Sequence, residues 1–409
     1  MLSRRQRARS GDGMNICYVT RSFANLGGTE SYIINMAKGL ARLGHRVHVV
    51  STSGRERFDG QDGEPRATVH EFKLAEEPFR GSWRPERILP LYLWRYTRAV
   101  GDVLSELVPA ESIDLVETTE WAADAYAYLR KRTVPVLVRM HGHPTFKDSF
   151  DHGNFRVGLK DKLIWRMRRK QLAQCDAVTA VSRSYCELAR RMWQVERDDI
   201  QVLPIGIDLE LFTPGSAQRA EQTVVFAGRL EDSKGIGVLA AAIPQVLQRF
   251  PTAQFRLLGR DCRREDGGLW SDYLAAHFAN NFSYLGALPM DRVVEQYRLA
   301  SVCVVPSLYE PGGMVALEAM ACGCPVIASR IGGLQENIEE GRTGLLATVG
   351  DPVELAEAII RLLQDRALRQ SLSANAIAQV RAQFSIEQMV ARSTAIYTDA
   401  VAGFRARRH

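Results

Sequence analysis

Two patterns of hydrophobic and polar positions alternate along the chain. Short apolar runs, which are typical of buried parallel strands, are followed by longer stretches in which apolar residues recur every three or four positions, as on one face of a helix. The runs predict strands at 16–19, 46–51, 68–74, 114–118, 134–140 and 176–182, a strand and turn at 202–208, and in the second half strands at 223–227, 254–258, 283–285, 302–305 and 325–328. This alternation predicts an α/β fold of two doubly wound, Rossmann-like domains.

The helical stretches lie between these strands. They are predicted at 29–43, 121–132, 160–170, 236–250, 291–300, 315–321, 351–364, 367–384 and 385–404, with a surface loop at 55–64 and a hinge region at 210–221. A chain of 409 residues exceeds the size at which one hydrophobic core stops growing. Two domains are therefore expected, at 14–203 and 204–384, after a disordered basic tail at 1–13.

Segment 301–337 is the part of the chain around which the rest is organised. It predicts a strand, a glycine loop at 310–313, a helix and a second strand. A helix that begins after such a loop directs N–H groups and the positive end of its dipole at one place, which suits a phosphate. Glu310 and Glu318 lie at this helix, and carboxylates accept hydrogen bonds from the hydroxyls of a sugar or ribose. The combination indicates a nucleotide sugar. The alternative is that Glu310 only complements the helix dipole and Glu318 caps a neighbour or faces solvent.

Two cations, Arg229 and Lys234, flank the turn before the predicted helix at 236–250. The helix dipole disfavours positive charge at this end unless an anion lies between the two side chains. A pyrophosphate ligand therefore explains the pair better than a solvated surface does.

Two features of the first half point to the same cleft. The predicted strand 134–140 is followed by His141, and ligands of open α/β sheets bind at the carboxyl ends of strands. A structural or solvent-facing histidine is the alternative. Gly27 and Gly28 precede a helix that Thr29 can cap, which is either a backbone loop facing the reaction centre or an ordinary strand–helix turn.

Aromatic and basic residues are interleaved in segment 79–96, FRGSWRPERILPLYLWRY, and the predicted helix at 160–170 is strongly basic. This composition fits an acceptor-binding element or a contact with an anionic membrane. The alternative is a helix whose aromatic residues pack inward and whose arginines are solvated.

Charge and cysteine content narrow the partners and the location. The formal net charge is +6, but residues 1–13 and 404–409 contribute +3 each, so the body of the chain is formally neutral. No nucleic-acid partner is expected, because such binding needs a basic face on folded structure. The seven cysteines lack C-x2-C metal spacing and indicate buried small hydrophobes in a reducing compartment. Without an apolar run of transmembrane length or a signal-peptide pattern, a cytoplasmic protein is expected, at most peripheral at the inner membrane face.

The motifs of segment 301–337 together resemble the signature of glycosyltransferase family 4, whose members are retaining enzymes of the GT-B fold. The matching motifs are Pro306-Ser307, Glu310-Pro311-x-Gly313, Leu317-Glu318-Ala319-Met320-Ala321, Gly323, Pro325-Val326-Ile327-Ala328-Ser329, Gly332-Gly333 and Glu336. Glu310 and Glu318 match the family's E-x7-E motif. The resemblance extends over nearly all of 14–404 and is densest in 223–345.

Three positions depart from the family pattern. Gly312 stands where an aromatic residue is frequent, and Ile205 stands where asparagine is usual in the linker motif. Arg260-Asp261 follows Gly259 where the family often has Gly-x-Gly.

The resemblance implies transfer of a sugar, with retention, from a nucleotide-diphosphate sugar to an acceptor hydroxyl in polysaccharide, glycolipid or glycoconjugate synthesis. It implies two domains facing a central cleft, with the acceptor on the first and the donor on the second, and a helix at 385–404 that returns to the first domain. Arg229, Lys234 and the backbone at Gly313, Met314 and Val315 would hold the diphosphate. No metal and no cofactor besides the donor is implied.

The remaining site residues are assigned by the same resemblance. Glu310 would hold hydroxyls of the donor sugar, and Glu318 those of the ribose. His141 would lie close to the donor sugar, and Gly27 and Gly28 would belong to the N-terminal glycine loop. The alternatives are a phosphorylase or nucleotide-sugar epimerase of the same fold and a non-catalytic sugar-nucleotide binding subunit.

Overall fold

A computed structural model describes residues 13–21, 23, 28–53, 57–59, 65–74, 91–142, 159–215 and 219–408. The described strands of the first sheet are β1 (Asn15–Val19), β2 (Arg46–Ser51), β3 (Arg57–Asp59), β4 (Pro65–Glu71), β5 (Leu115–Thr119), β6 (Val136–Met140), β7 (Ala177–Ala180) and β8 (Gln201–Val202). Their order is β3-β4-β2-β1-β5-β6-β7-β8. All the pairings are parallel except that of β3 with β4.

The second sheet is parallel throughout the described residues. Its strands are β9 (Thr223–Ala227), β10 (Gln254–Leu258), β11 (Phe282–Gly286), β12 (Val302–Val305), β13 (Val326–Ser329) and β14 (Leu345–Ala347). Their order is β11-β10-β9-β12-β13-β14, so β9 lies between β10 and β12. The predicted pair of doubly wound α/β domains is confirmed.

The described helices lie mainly in the connections between strands. They are α1 (Gly28–Arg42), α2 (Leu91–Ala110), α3 (Leu159–Gln174), α4 (Arg183–Trp193), α5 (Ile236–Arg249), α6 (Trp270–Phe278), α7 (Met290–Leu299), α8 (Met314–Ala321), α9 (Gly332–Asn337), α10 (Pro352–Gln364), α11 (Arg366–Gln383) and α12 (Ile386–Ala406). None of them has the length and apolarity required to cross a membrane.

Both faces of the first sheet are covered by apolar side chains. Cys17 and Val19 of β1 belong to one core cluster, whereas Ile16 and Tyr18 belong to another. Successive side chains of a strand point to opposite faces, so a strand that is buried on both faces must be apolar along its whole length. This is why continuous apolar runs located the central strands correctly.

The last helix packs against the first domain, as the family resemblance implies. Ile386, Val390 and Tyr397 of α12 share a core cluster with residues of α1. At the crossing between the domains, Ile207 N donates to the carbonyl of Phe384 at 2.7 Å, and Ile386 N donates to the carbonyl of Ile207 at 3.2 Å. The linker and the start of the returning helix are therefore joined to each other.

The helix predicted at 121–132 is wrong. The segment forms turns followed by a short 3-10 helix, Tyr128–Arg130. The buried carboxylate of Asp124 accepts hydrogen bonds from the hydroxyls of Thr118 and Thr119, and Ala123 has a φ of +50°. Local side-chain hydrogen bonds and a left-handed residue compete successfully with helix formation here.

Other differences concern edges and amphipathic segments. The surface loop predicted at 55–64 contains the short edge strand β3, and the strand and turn predicted at 202–208 begin with the two-residue strand β8, Gln201–Val202. The helices α4, α6 and α9 were not predicted. Residues 1–12 of the predicted tail and residues 79–90 of the aromatic and basic segment lie outside the described residues.

Candidate active site

The carboxyl ends of β9 and β12 meet at one edge of the second sheet, because these strands are parallel neighbours. Segment 228–235 follows β9 and segment 306–313 follows β12. Lys234 and Glu310, 76 positions apart in the sequence, form an ion pair with 2.7 Å between Nζ and Oε2. The structure therefore brings two of the predicted site residues together where ligands of such sheets bind.

A tight turn sets the position of Lys234. The lysine ends the short 3-10 helix Asp232–Lys234, and the chain continues through Gly235 with a φ of +72°. A Cβ at Gly235 would lie 1.8 Å from the carbonyl oxygen of Pro306. Since only glycine permits this approach, the sequence Lys-Gly allows the lysine turn to pack directly on the end of β12.

Glu310 lies between Lys234 and the start of α8. Its Oε1 accepts a hydrogen bond from the Gly313 amide at 3.1 Å. Burial by itself would raise the pKa of Glu310, but the charge and hydrogen bond of Lys234, with the Gly313 and Gly312 amides, bring this pKa below its ordinary value. Glu310 is therefore ionised at neutral pH and is a strong acceptor for hydroxyl groups.

The start of α8 has the geometry that the glycine loop predicts. Gly313, with a φ of +72°, immediately precedes the helix, and Met314 and Val315 form its first turn. The first N–H groups of a helix have no acceptor within it, so they can serve an anion. In this structure the Gly313 amide donates to Glu310, and the assignment of these amides to a diphosphate stays a prediction.

Glu318 is buried within α8, eight residues after Glu310. The hydroxyl of Tyr297 donates to its Oε2 at 3.3 Å. Burial raises the pKa of Glu318 to about 7, with the Tyr297 hydrogen bond opposing the shift and the negative charge of Glu310 adding to it. The side chain can therefore exist in both protonation states at neutral pH.

Arg229 follows β9 but is oriented differently from Lys234. Its side chain is 53% exposed, and its Nη1 lies 2.9 Å from Oε2 of Glu231. The structure thus places Arg229 at the predicted edge of the sheet, paired with a neighbouring carboxylate. Its predicted contact with a phosphate remains a prediction.

His141 follows β6 at the carboxyl edge of the first sheet. Its backbone N–H lies 3.1 Å from each oxygen of the buried Glu120 carboxylate, and Gly142 N donates to the same carboxylate at 2.9 Å. The imidazole packs edge-on against Tyr32, with 4.9 Å between ring centroids. Burial, and then the charge of Arg139, hold the pKa of His141 well below its ordinary value, so the ring is neutral at pH 7.

The histidine turn touches the loop that carries Glu310. A Cβ at Gly142, where φ is +115°, would lie 2.3 Å from Cγ of Pro311. Gly142 and Pro311 come from different domains, and only a residue without a side chain allows this approach. His141 and Glu310 are each one residue from this contact, so the structure brings the two predicted residues to the same seam.

The N-terminal glycine loop is only partly described. Gly28 is exposed and begins α1, and a Cβ there would meet no heavy atom within 4 Å. Gly27 lies outside the described residues. A role for either glycine toward a donor remains a prediction.

Sequence reasoning assigned no role to three residues that organise this seam, namely Glu120, Tyr185 and Glu336. The signal available for Glu120 was a carboxylate two residues after the strand predicted at 114–118, at the carboxyl edge of the sheet. Glu336 belongs to the family signature, and Tyr185 gave no signal because α4 itself was missed.

Comparisons with known proteins agree with this architecture. The model described as Glycosyltransferase Family 4 matches residues 26–211, and the model described as Glycosyl transferases group 1 matches residues 221–365. The D-inositol 3-phosphate glycosyltransferase of Acidothermus cellulolyticus is 30% identical over 402 residues, covering 92% of this chain and 86% of that protein. The enzyme of the same name from Corynebacterium glutamicum is 28% identical over 399 residues, covering 92% of each chain.

Solved structures have the same fold. Sucrose-phosphate synthase from Thermosynechococcus elongatus has a TM-score of 0.78 and 25% identity, covering 95% of this chain and all of that chain, 100%. Anabaena HepE in complex with UDP-glucose has a TM-score of 0.69 and 20% identity, covering 93% of this chain and 99% of that chain.

Fold and sequence similarity together define a GT-B enzyme that transfers a sugar from a nucleotide sugar to an acceptor. The chain belongs to glycosyltransferase family 4, and the resemblance carried by segment 301–337 is confirmed.

Proposed function

We propose that this enzyme transfers a hexosyl group, with retention and without a metal ion, from a nucleoside diphosphate sugar to a hydroxyl of a polar acceptor. The Lys234–Glu310 ion pair at the start of α8 is the observation that carries the proposal. UDP-glucose is the first donor to test, because HepE is described in complex with it. D-inositol 3-phosphate is the first acceptor, because the named relatives carry it in their names.

In this proposal the second domain, 204–384, binds the donor. The diphosphate lies between Arg229, Lys234 and the first turn of α8, where cations and helix N–H groups stabilise the negative charge that grows on the leaving group. Glu310 accepts hydrogen bonds from donor sugar hydroxyls while Lys234 holds its carboxylate. Glu318 does the same for the ribose when deprotonated.

The first domain, 14–203 with the returning helix at 385–404, binds the acceptor. The bond between the anomeric carbon and the diphosphate oxygen breaks, and a bond to the acceptor oxygen forms on the same face of the sugar. The acceptor proton passes to an oxygen of the departing diphosphate. His141, neutral at pH 7, is suited to hydrogen-bond the donor sugar without adding charge.

The first test is ligand binding followed by product analysis. A thermal-shift panel of UDP-, GDP- and ADP-sugars should raise the melting temperature with one nucleotide class, because a ligand stabilises the state that it binds. With UDP-glucose and D-inositol 3-phosphate, NMR of the product should show the anomeric configuration of the donor. An inverted product would overturn retention, and loss of activity after chelation by EDTA would overturn metal independence.

Variants test the assigned roles. Lys234→Ala and Arg229→Ala should each lower transfer by about 100-fold or more, since both act on the charge that develops in the transition state. Glu310→Gln should lower transfer as strongly, because an amide is a weaker acceptor than a carboxylate for the donor sugar hydroxyls. Glu357→Gln, at an exposed glutamate of α10, is the matched control. Full activity of the Lys234→Ala protein would remove this lysine from its role. Phosphate-dependent product release would instead support a phosphorylase, and an epimerised donor would support a nucleotide-sugar epimerase. Donor binding without turnover would support a non-catalytic sugar-nucleotide binding subunit.

We also infer that the first domain attaches peripherally to an anionic membrane through a basic-aromatic face. Trp94, Arg98, Tyr126, Arg130 and Lys131 line one surface cavity between α2 and the turns that follow β5. The indole of Trp94 is half exposed, and the guanidinium of Arg98 lies 5.5 Å from its ring centroid. An exposed indole among cations is suited to the headgroup region of anionic lipids.

Liposome sedimentation tests this attachment. At low salt the protein should sediment with phosphatidylglycerol vesicles and not with phosphatidylcholine vesicles, and the combination Trp94→Ala with Arg98→Ala should release it. Arg392→Ala, at an exposed arginine of α12, is the control of equal charge change. No sedimentation at low salt would overturn the inference. The free cysteines fit a reducing compartment, so we place this membrane face in the cytoplasm.

A further inference from the structure

The first turn of α4, in the first domain, is capped by a carboxylate from the second. Arg183 N and Ser184 N donate to Oε2 and Oε1 of Glu336 at 2.9 and 2.7 Å, and Ser184 Oγ donates to Oε1 at 2.7 Å. Tyr185 N donates to Ser182 Oγ at 3.1 Å. The N–H groups that have no acceptor within a helix are thus bound at this end, two of them by Glu336.

The same helical turn reaches the histidine of the candidate site. The buried hydroxyl of Tyr185 donates to Oε1 of Glu120 at 2.9 Å. The Glu120 carboxylate also accepts the backbone N–H groups of His141 and Gly142. Glu120 has no exposed surface, so water cannot replace a hydrogen-bond partner that its carboxylate loses.

On the other side, Glu336 lies on α9, which holds the loop that carries Glu310. Gly333 N donates to the carbonyl of Glu310 at 3.0 Å, and Asn337 Nδ2 donates to the carbonyl of Gly312 at 2.8 Å. The two domains therefore contact each other at two linked places, Glu336 with the first turn of α4 and Pro311 with Gly142.

We propose that Glu336 is a positioning residue that couples the approach of the two domains to the placement of His141 beside the Glu310 loop. The proposal rests on the proposed function and deepens it. Removal of the carboxylate leaves two N–H groups and the positive end of α4 without their acceptor. The first turn of α4 then loosens, and Tyr185 no longer holds Glu120 against the backbone of His141.

Hydrogen exchange tests the coupling without any substrate. In Glu336→Ala, exchange of the Arg183 and Ser184 amides should be about tenfold faster than in the wild type, and so should that of the His141 and Gly142 amides, because local opening becomes easier. Glu357→Ala should leave both pairs unchanged. Faster exchange at 183–184 with no change at 141–142 would overturn the coupling. If the alanine variant does not fold, Glu336→Gln takes its place with a smaller expected effect.

Kinetics test the consequence with UDP-glucose and D-inositol 3-phosphate. Glu336→Ala should lower kcat about tenfold while the KM for the donor changes less than twofold, because the residues proposed to bind the diphosphate and the ribose lie within the second domain. Glu336→Ala combined with Tyr185→Phe should lower kcat little more than Glu336→Ala alone, since both changes act through Glu120. Additive losses, or a loss confined to KM, would overturn the proposal. A wild type that transfers nothing would instead count against the proposed function, and the exchange experiment would still decide the coupling.

Discussion

The Cβ atom that Gly312 lacks would lie 3.1 Å from Cδ1 of Ile205. Ile205 lies just after the first domain and is buried in its core cluster, and Gly312 belongs to the Glu310 loop of the second domain. Both positions depart from the family pattern, which has asparagine at the position of Ile205 and an aromatic residue at the position of Gly312. The structure shows that these two departures are in contact, so they form one seam between the domains.

Gly312→Phe should separate this seam. An aromatic ring at this position has to displace Ile205 or Val181, whose Cβ lies 3.8 Å from the same point. Overpacking of this kind costs about 1–3 kcal/mol. We expect a lower free energy of unfolding in urea and a loss of transfer activity that exceeds the loss of donor binding.

Ile205→Ala provides the control for this variant. Truncation of the isoleucine makes room for the ring, so Gly312→Phe combined with Ile205→Ala should recover part of the stability and activity lost by Gly312→Phe alone. If the double variant loses the sum of the two single effects, the residues are not coupled.

Lys234→Met should destabilise the protein through Glu310. The variant leaves a largely buried carboxylate without its cation, which costs about 1–3 kcal/mol at pH 7. Because the pKa of Glu310 is lowered in the folded protein, its pairing stabilises the fold above the unfolded pKa, and this contribution is lost as the pH falls through the folded pKa. The difference between wild type and variant in urea unfolding should therefore shrink from pH 7 to pH 3.

The combination Lys234→Met with Glu310→Gln checks the cause. With both charges removed, the unpaired carboxylate is absent and most of the lost stability should return. A double variant as unstable as Lys234→Met would show that the lysine acts through other contacts.

Glu318 should give the opposite pH dependence. Its pKa is raised from 4.5 to about 7 in the folded protein, so the native state binds more protons than the unfolded state between these values. Stability from this group is present below the unfolded pKa and is lost as the pH rises toward 7, at a slope of up to about 1.4 kcal/mol per pH unit. Urea unfolding at pH 5 and pH 8 should show Glu318→Gln gaining stability relative to the wild type at the higher pH. An equal difference at both pH values would contradict the raised pKa.

Gly235→Ala should damage both stability and the lysine turn. The new Cβ would meet the Pro306 carbonyl and would require a left-handed conformation, which together cost about 3 kcal/mol or more. Gly267 is the matched control, because its φ is +87° and a Cβ there meets nothing within 4 Å. Gly267→Ala should therefore show only the backbone cost of about 1 kcal/mol. Comparable thermal-melting losses in the two variants would mean that the contact with Pro306 is not required.

The strongly periodic parts of the chain were predictable, and parts whose structure depends on distant partners were not. Strands β2, β9, β10 and β12 have the predicted bounds. In β9 and β12 the reason is that burial on both faces makes the strand one short apolar run. The predicted helix at 121–132 failed because Asp124 accepts hydrogen bonds from the distant Tyr96 of α2 as well as from the neighbouring Thr118 and Thr119. Helix α4 was also missed, and the acceptor for its first N–H groups is Glu336, which comes from the other domain.

By itself, the sequence determined the fold class, the family and the identity of the residues at the carboxyl edge of the second sheet, because local periodicity and fixed spacing carry that information. Only the tertiary structure decided that Lys234 binds Glu310, that His141 and Glu310 flank one seam, and that Glu336 caps a helix of the other domain. These relationships depend on which strands are neighbours and on how closely backbones approach at Gly142 and Gly235. A linear pattern cannot specify such distances, since they arise when packed elements from far apart in the chain meet.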